Sequence, residues 1–241
     1  MLQPDQIERA LVVTAHPDDV DFGAAGTVAV LTDAGVAVTY CLVTDGEAGG
    51  SDRTVSRTDM AALRRREQTD AAMHVGVTDL VWLGHADGRV EADLALREAI
   101  SRVIREVRPQ VVITQSPQRV LDRMVGSHPD HLAAGEATLC AVYPDARNPF
   151  AFPALLDEEG LEPWSVPEVW LMALGGQGDA LTSVDITAQI DRKVKALLSH
   201  ASQMQDPERM VGFVRERATV TATESGLAEG TLAETFRVVQ I

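Results

Sequence analysis

The sequence predicts an α/β fold: a Rossmann-like, doubly wound and mostly parallel sheet followed by a C-terminal α+β portion. Three observations predict it. Short apolar runs alternate with longer segments of helical character through the first two thirds of the chain. That strand-helix-strand repetition gives a parallel sheet with helices on both faces. The last third then changes character, with prolines at 149, 153, 163 and 167 and strand-like and helix-like pieces beyond them.

Leu11 to Ala15 is a continuous apolar run and reads as a buried strand. Gly23 to Ala34, small and apolar, reads as a helix that Gly35 ends. Val36 to Thr44 is β-branched and apolar, a second strand, and a Gly-rich polar loop runs from Asp45 to Arg57. Asp59 to Val75 reads as a helix stopping at Gly76, and Asp79 to Leu83 as a third strand. Leu96, Ile100, Val103, Ile104 and Val107 recur at helical spacing, so that segment is an amphipathic helix, closed by Pro109. Val111 to Thr114 is a fourth strand, a long loop spans Gln115 to Ser127, and a helix starts near Pro129. Asn148 to Pro167 reads as irregular. Val169 to Ala173, Thr182 to Ile186 and Phe236 to Val239 read as strands, and Ala188 to His200 and Glu208 to Arg217 as helices. No Gly- or Ser-rich linker divides the chain, so one domain is expected over 1–241, with a core at 1–145 and an appended portion at 146–241.

Composition narrows the function. Of 241 residues 45% are hydrophobic but only 4% aromatic, so the core must be aliphatic. A net charge of −15 repels nucleic acid and anionic membranes. No run of about 18 apolar residues occurs, and the first nine residues are polar and acidic rather than signal-like; a soluble cytoplasmic protein is expected. Cys41 and Cys140 are distant and form no CxxC, which points to free thiols. Only Lys193 and Lys195 of the 21 basic residues are lysines, a bias that fits a GC-rich bacterial genome.

Two motifs carry chemistry. Ala15-His16-Pro17-Asp18-Asp19 follows the first strand, and Ser127-His128-Pro129-Asp130-His131 follows the loop beyond the fourth. Function in doubly wound sheets collects in loops after the carboxyl ends of strands. Imidazole and carboxylate suit zinc, whose catalytic sites use three protein ligands and keep one position open. A single His-Pro-Asp is also a common turn device; two, each following a strand of one parallel sheet, are much harder to explain as turns.

These motifs resemble the signatures of the LmbE-like, or PIG-L, N-acetylglucosaminyl deacetylases. Further likenesses follow in order along the chain: Thr44-Asp45-Gly46-Glu47 with Gly49-Gly50, Arg64-xx-Glu67, Asp87-Gly88, Ala141-Val142-Tyr143 and His200-xx-Gln203. The resemblance implies one zinc ion per chain, held by His16, Asp19 and His131, with Asp18 as general base. It implies that a cationic His128 stabilises the oxyanion and that Asp130 holds His128 protonated and oriented. Zinc would lower the pKa of water at that position from about 16 towards about 7. Asp18 or His128 is left to protonate the departing amine. Glu47, Arg64 and Asp87 are candidate substrate contacts, although Arg64 and Glu67 could instead pair on a solvated helix face, and Asp87 could cap a turn with Gly88. His85 reads as an exposed loop residue, His74 as structural and His200 as support for the fold.

Some sugar-thiol deacetylases of this family carry a tyrosine two residues before HPDH. Gly126 stands there in this chain, so either another group helps polarise the carbonyl or the zinc ion and His128 suffice. The expected substrate is a small acetylated amino sugar: a mycothiol-related compound or an antibiotic precursor of the N-acetylglucosaminyl type. The rivals are a zinc amidase on a non-sugar amide or thiol conjugate, set apart by loops 45–57 and 115–127, and a metal-binding relative without turnover, which the presence of Asp18 disfavours. A homo-oligomer is compatible with the sequence, with 148–167 as the candidate contact surface.

Overall fold

The computed structural model describes residues 1–50, 52–172 and 181–241, apart from the side chains at 122, 123 and 125. Four parallel strands, β1 (Arg9–Thr14), β2 (Ala37–Thr44), β3 (Asp79–His85) and β4 (Val111–Gln115), form one side of a seven-stranded sheet. β5 (Glu168–Met172) adds in parallel beside β4, then β7 (Ala233–Gln240) pairs antiparallel with β5, and β6 (Thr182–Asp185) pairs antiparallel with β7. The order is β3-β2-β1-β4-β5-β7-β6. The same sheet thus continues from the first portion of the chain into the last. Ala173, the expected end of the fifth strand, lies outside the described residues.

β1, β2, β4 and β5 are buried on both faces because their side chains alternate between two cores. Ala10 and Val12 of β1 enter one cluster with α2 (Ala25–Asp33) and α3 (Arg57–His74). Leu11 and Val13 enter the other, with α4 (Leu94–Val107) and α5 (Pro129–Cys140). A third cluster joins α7 (Ile190–Leu198) to α8 (Pro207–Glu224) through Ile190, Leu197, Val214 and Ala218. Cys41 is buried and Cys140 partly exposed, and both are free.

Three expectations need correction. The helix expected over 23–34 is α2, which starts at Ala25, and a separate short helix, α1 (Asp19–Gly23), starts inside the first motif and breaks from it at Ala24. Small apolar residues on every side carry no periodicity that could mark the break. The proline-bearing segment is not wholly irregular: α6 (Pro153–Asp157) starts on Pro153, whose missing N–H costs nothing in a first turn. The last helix runs to Glu224 rather than Arg217.

β1 lies between β2 and β4, so the carboxyl ends of β1 and β4 flank the point where the strand order reverses. Ala15 N–H donates to Gln115 Oε1 at 2.9 Å and ties these ends together. α5 leans directly on the end of β4: a Cβ on Gly135 would lie 2.3 Å from the Gln115 carbonyl oxygen. Gly135→Ala should therefore push α5 outward and cost about 1–3 kcal/mol, read as a lower urea midpoint. An unchanged midpoint would show that the approach is not tight.

Candidate metal centre

His16 follows β1 by two residues, and the chain turns sharply there. Asp18 sits at φ 81°, a left-handed conformation that costs most residues about 1–2 kcal/mol but that aspartate tolerates. Surrounding groups fix it. Arg64 Nη2 donates to Pro17 O at 2.6 Å and to Asp18 Oδ2 at 3.0 Å, and Nη1 donates to Gly46 O at 3.0 Å. Asp18 N–H donates to Gln68 Oε1 at 2.8 Å, and Gln68 Nε2 donates to Asp21 Oδ2 at 2.9 Å. His200 Nε2 meets the same Asp21 oxygen at 2.9 Å, with both side chains fully buried.

His131 enters from the first turn of α5. Its Nε2 lies 3.2 Å from His16 Nδ1 and 3.0 Å from Asp19 Oδ1, and His16 Nδ1 lies 3.4 Å from Asp19 Oδ2. Three donors about 2.0–2.1 Å from a tetrahedral zinc stand about 3.3–3.4 Å apart, so this triangle has the size for the ion. The other nitrogen of His16, Nε2, faces Asp87 Oδ1 at 3.1 Å and Asp130 Oδ2 at 3.2 Å. A carboxylate on one ring nitrogen leaves the opposite nitrogen's lone pair for a metal. Those carboxylates are themselves anchored: Gly88 N–H donates to Asp130 Oδ2 at 2.7 Å, and Ala48 N–H to Asp87 Oδ2 at 2.9 Å.

Two other donor groups share His16: His16, His128 and His131, and His16, Asp87 and Asp130. His128 Nδ1 already accepts the Asp130 N–H at 3.2 Å, and Asp87 and Asp130 lie on the far side of the His16 ring.

Burial alone would lower the pKa of His16, but hydrogen bonds to Asp19 and Asp87, and their charges, raise it to about 11. Burial would raise Asp19, yet His131 and His16 hold it well below the usual carboxylate range. Asp18 is pushed up to about 6 by burial and by the charge of Asp19, against the pull of Arg64 and His200. Burial and the neighbouring His16 and His131 push His128 down.

A family model described as GlcNAc-PI de-N-acetylase, PIG-L, matches residues 11–142, which contain both motifs. The chain belongs to the PIG-L family. Among curated relatives it is similar to a diacetylchitobiose deacetylase of Thermococcus kodakarensis, 31% identical and covering 84% of this chain and 72% of the relative. It is also similar to a 1D-myo-inositol 2-acetamido-2-deoxy-alpha-D-glucopyranoside deacetylase of Rhodococcus jostii, 32% identical over 94% of this chain and 89% of the relative. Among solved structures, an N,N'-diacetylchitobiose deacetylase from Pyrococcus horikoshii superposes with a TM-score of 0.86 at 29% identity, covering 97% of this chain and 84% of that one.

Within this PIG-L site, several expected contacts differ. The Asp130 carboxylate does not hold His128; it faces His16 and the backbone N–H groups of Gly88 and Val90. His128 Nδ1 accepts the Asp130 backbone N–H, and burial with the neighbouring His16 and His131 works against the cationic form expected of it. Arg64 neither pairs with Glu67 nor points into solvent: its side chain is 5% exposed and clamps the first motif. Glu67 instead accepts from Ser202 N–H and Oγ. Asp87 is engaged by His16 and Ala48, and Glu47 Oε1 accepts from Asp87 N–H and Arg57. His200 supports the fold through Asp21, His74 is exposed at the end of α3, and His85 ends β3 rather than sitting in a loop. Gln68 and Asp21 had no sequence signal, because the partner of each is some 47–50 residues away.

Proposed function

We propose that this PIG-L deacetylase removes acetate from an N-acetylated amino sugar, with one zinc ion held by His16 Nδ1, Asp19 and His131 Nε2. The observation that carries the reading is the convergence of His16 Nδ1, His131 Nε2 and the two Asp19 carboxylate oxygens at 3.0–3.4 Å, with an accessible carboxylate beside them. The Asp18 side chain keeps 19% exposure, whereas that of Asp130 keeps 1%, so Asp18 is the acid that can meet a substrate.

Zinc bound there would supply Lewis-acid chemistry, acidifying a water and polarising the acetamide carbonyl. The residues do the rest. Arg64 occupies Asp18 Oδ2, which leaves Oδ1 to take the proton of the attacking water. His128, exposed at the start of α5, donates Nε2–H to the carbonyl oxygen as it gains negative charge. Asp130 and Asp87 orient His16 through Nε2. As the C–N bond breaks, Asp18 returns its proton to the amine.

No helix among the described residues is long and apolar enough to cross a membrane. We place the enzyme in the cytoplasm, acting as one domain over 1–241 on a small sugar of the N-acetylglucosaminyl type.

The test is acetate release by zinc-loaded protein, compared between N-acetylglucosaminyl sugars and non-sugar acetamides. The sugars should be cleaved and the plain acetamides not. Cleavage confined to the non-sugar amides would replace the sugar by another amide and leave the metal site standing.

A further inference from the structure

A cavity of about 470 Å³ opens directly from two of the metal-site residues, Asp19 and His131. It is also lined by Phe213, Val214 and Ala218 of α8, Phe22 of α1, Met172 at the end of β5 and Ala233 of β7. Gly126 also lines it, so no side chain from that position narrows the space next to His131.

That stretch of the lining is apolar, an unusual surface for a sugar to meet. Phe22 and Phe213 are 38% and 49% exposed, two of only five phenylalanines in the chain. Large apolar surface left in contact with water beside a site marks a binding surface. The lining also holds Ser116, Arg217, Thr221 and Thr235, and the polar groups nearest the sheet are already engaged. Lys193 Nζ donates to Asp21 O at 2.9 Å, to Phe22 O at 2.7 Å and to Glu234 Oε1 at 2.7 Å. Glu234 further accepts from Gly26 N–H and from Thr27 N–H and Oγ1, and Gln115 Oε1 accepts from Ala15 N–H. The stretch formed by Phe22, Met172, Phe213, Val214, Ala218 and Ala233 offers a pyranose hydroxyl no side-chain partner, whereas a hydrocarbon group fits it well.

The origin of the wall points the same way. Both metal motifs lie within the stretch that matches the family model, 11–142, while most of the apolar wall comes from Met172 to Ala233, beyond it. Whatever fills the cavity must be joined to the group that reaches Asp19 and His131.

We propose that this cavity takes an aryl or alkyl substituent carried by the amino sugar, and that Phe213 and Phe22 set the preference for substrates bearing one. This deepens the deacetylase reading and rests on it. The substituent has two possible sources, a hydrophobic group on the anomeric oxygen or an N-acyl chain longer than acetyl. In both, water adds across the amide C–N bond, giving a carboxylic acid and a free amine.

The experiment compares kcat/KM of zinc-loaded protein for N-acetylglucosamine, its phenyl and hexyl glycosides, and N-hexanoylglucosamine. At least one substituted substrate should exceed N-acetylglucosamine by about 10-fold or more, the scale set by burying an apolar group in a pocket. The winning compound assigns the source. Phe213→Ser should pull that ratio towards one and Phe213→Leu should keep it. Since Phe213 is half exposed, neither change threatens the fold. A second arm needs no turnover: calorimetric affinities of zinc-loaded Asp18→Asn protein for the phenyl glycoside and for N-acetylglucosamine should show the same preference. Equal kcat/KM across the series, or a ratio indifferent to both Phe213→Ser and Phe22→Ser, would overturn the inference and leave the deacetylase standing. Absence of turnover on every compound, with the affinity preference intact, would instead overturn the deacetylase reading and keep the cavity's occupant.

Discussion

Asp18→Asn protein should bind zinc as the wild type does and lose about 10²–10⁴-fold in kcat, the usual contribution of a general base. The substitution isolates proton transfer from structure. Asparagine shares with aspartate a tolerance for the left-handed backbone, so the φ of 81° at this position is retained. The side chain keeps an oxygen to accept from Arg64, and the backbone N–H still reaches Gln68. What disappears is the ability to take a proton. Asp18→Ala is a poorer test, because it adds backbone strain to the lost carboxylate. Metal content by atomic emission and single-turnover acetate release check the two halves separately. Full activity in the Asn variant would remove Asp18 from the mechanism.

His131→Ala should fail earlier, at metal binding. His131 Nε2 stands 3.2 Å from His16 Nδ1 and 3.0 Å from Asp19, so its removal leaves two donors of the triangle. Zinc affinity should drop by more than the roughly 10–100-fold typical of losing an orienting partner behind a ligand. Asp130→Asn, which weakens only the contact to His16 Nε2, supplies that smaller reference. His128→Ala separates the competing donor sets. If the ligands are His16, Asp19 and His131, zinc stays and turnover falls; if His128 replaces Asp19, zinc is lost as in His131→Ala. Equilibrium dialysis against zinc reads all three variants.

The first four strands and both motifs were legible because they are local. β1 and β4 are continuous apolar runs, and each motif follows its strand within a loop's reach. The partners within the site were not. Asp130 lies two residues from His128, which made a contact between them look natural; the helical turn at the start of α5 directs its carboxylate to His16, 114 positions away. Arg64 and Glu67 sit one helical turn apart, yet the first turns to the β1 loop and the second to Ser202, 135 positions on. Helical spacing says which side chains share a face and nothing about what that face meets. The Asp21–His200 pair, 179 positions apart, shows the same limit at its widest. The cavity wall was hidden for another reason: α8 carries too weak a stripe to show that Phe213 faces the site rather than the core.

The most direct test of the account is zinc titration of chelator-stripped protein with acetate release followed from N-acetylglucosaminyl substrate. The account predicts almost no release at zero zinc, a rise in proportion to added metal, and a plateau at one zinc per chain. Full activity in the stripped protein, or a chain with one zinc bound that releases no acetate from any amino sugar, would contradict it.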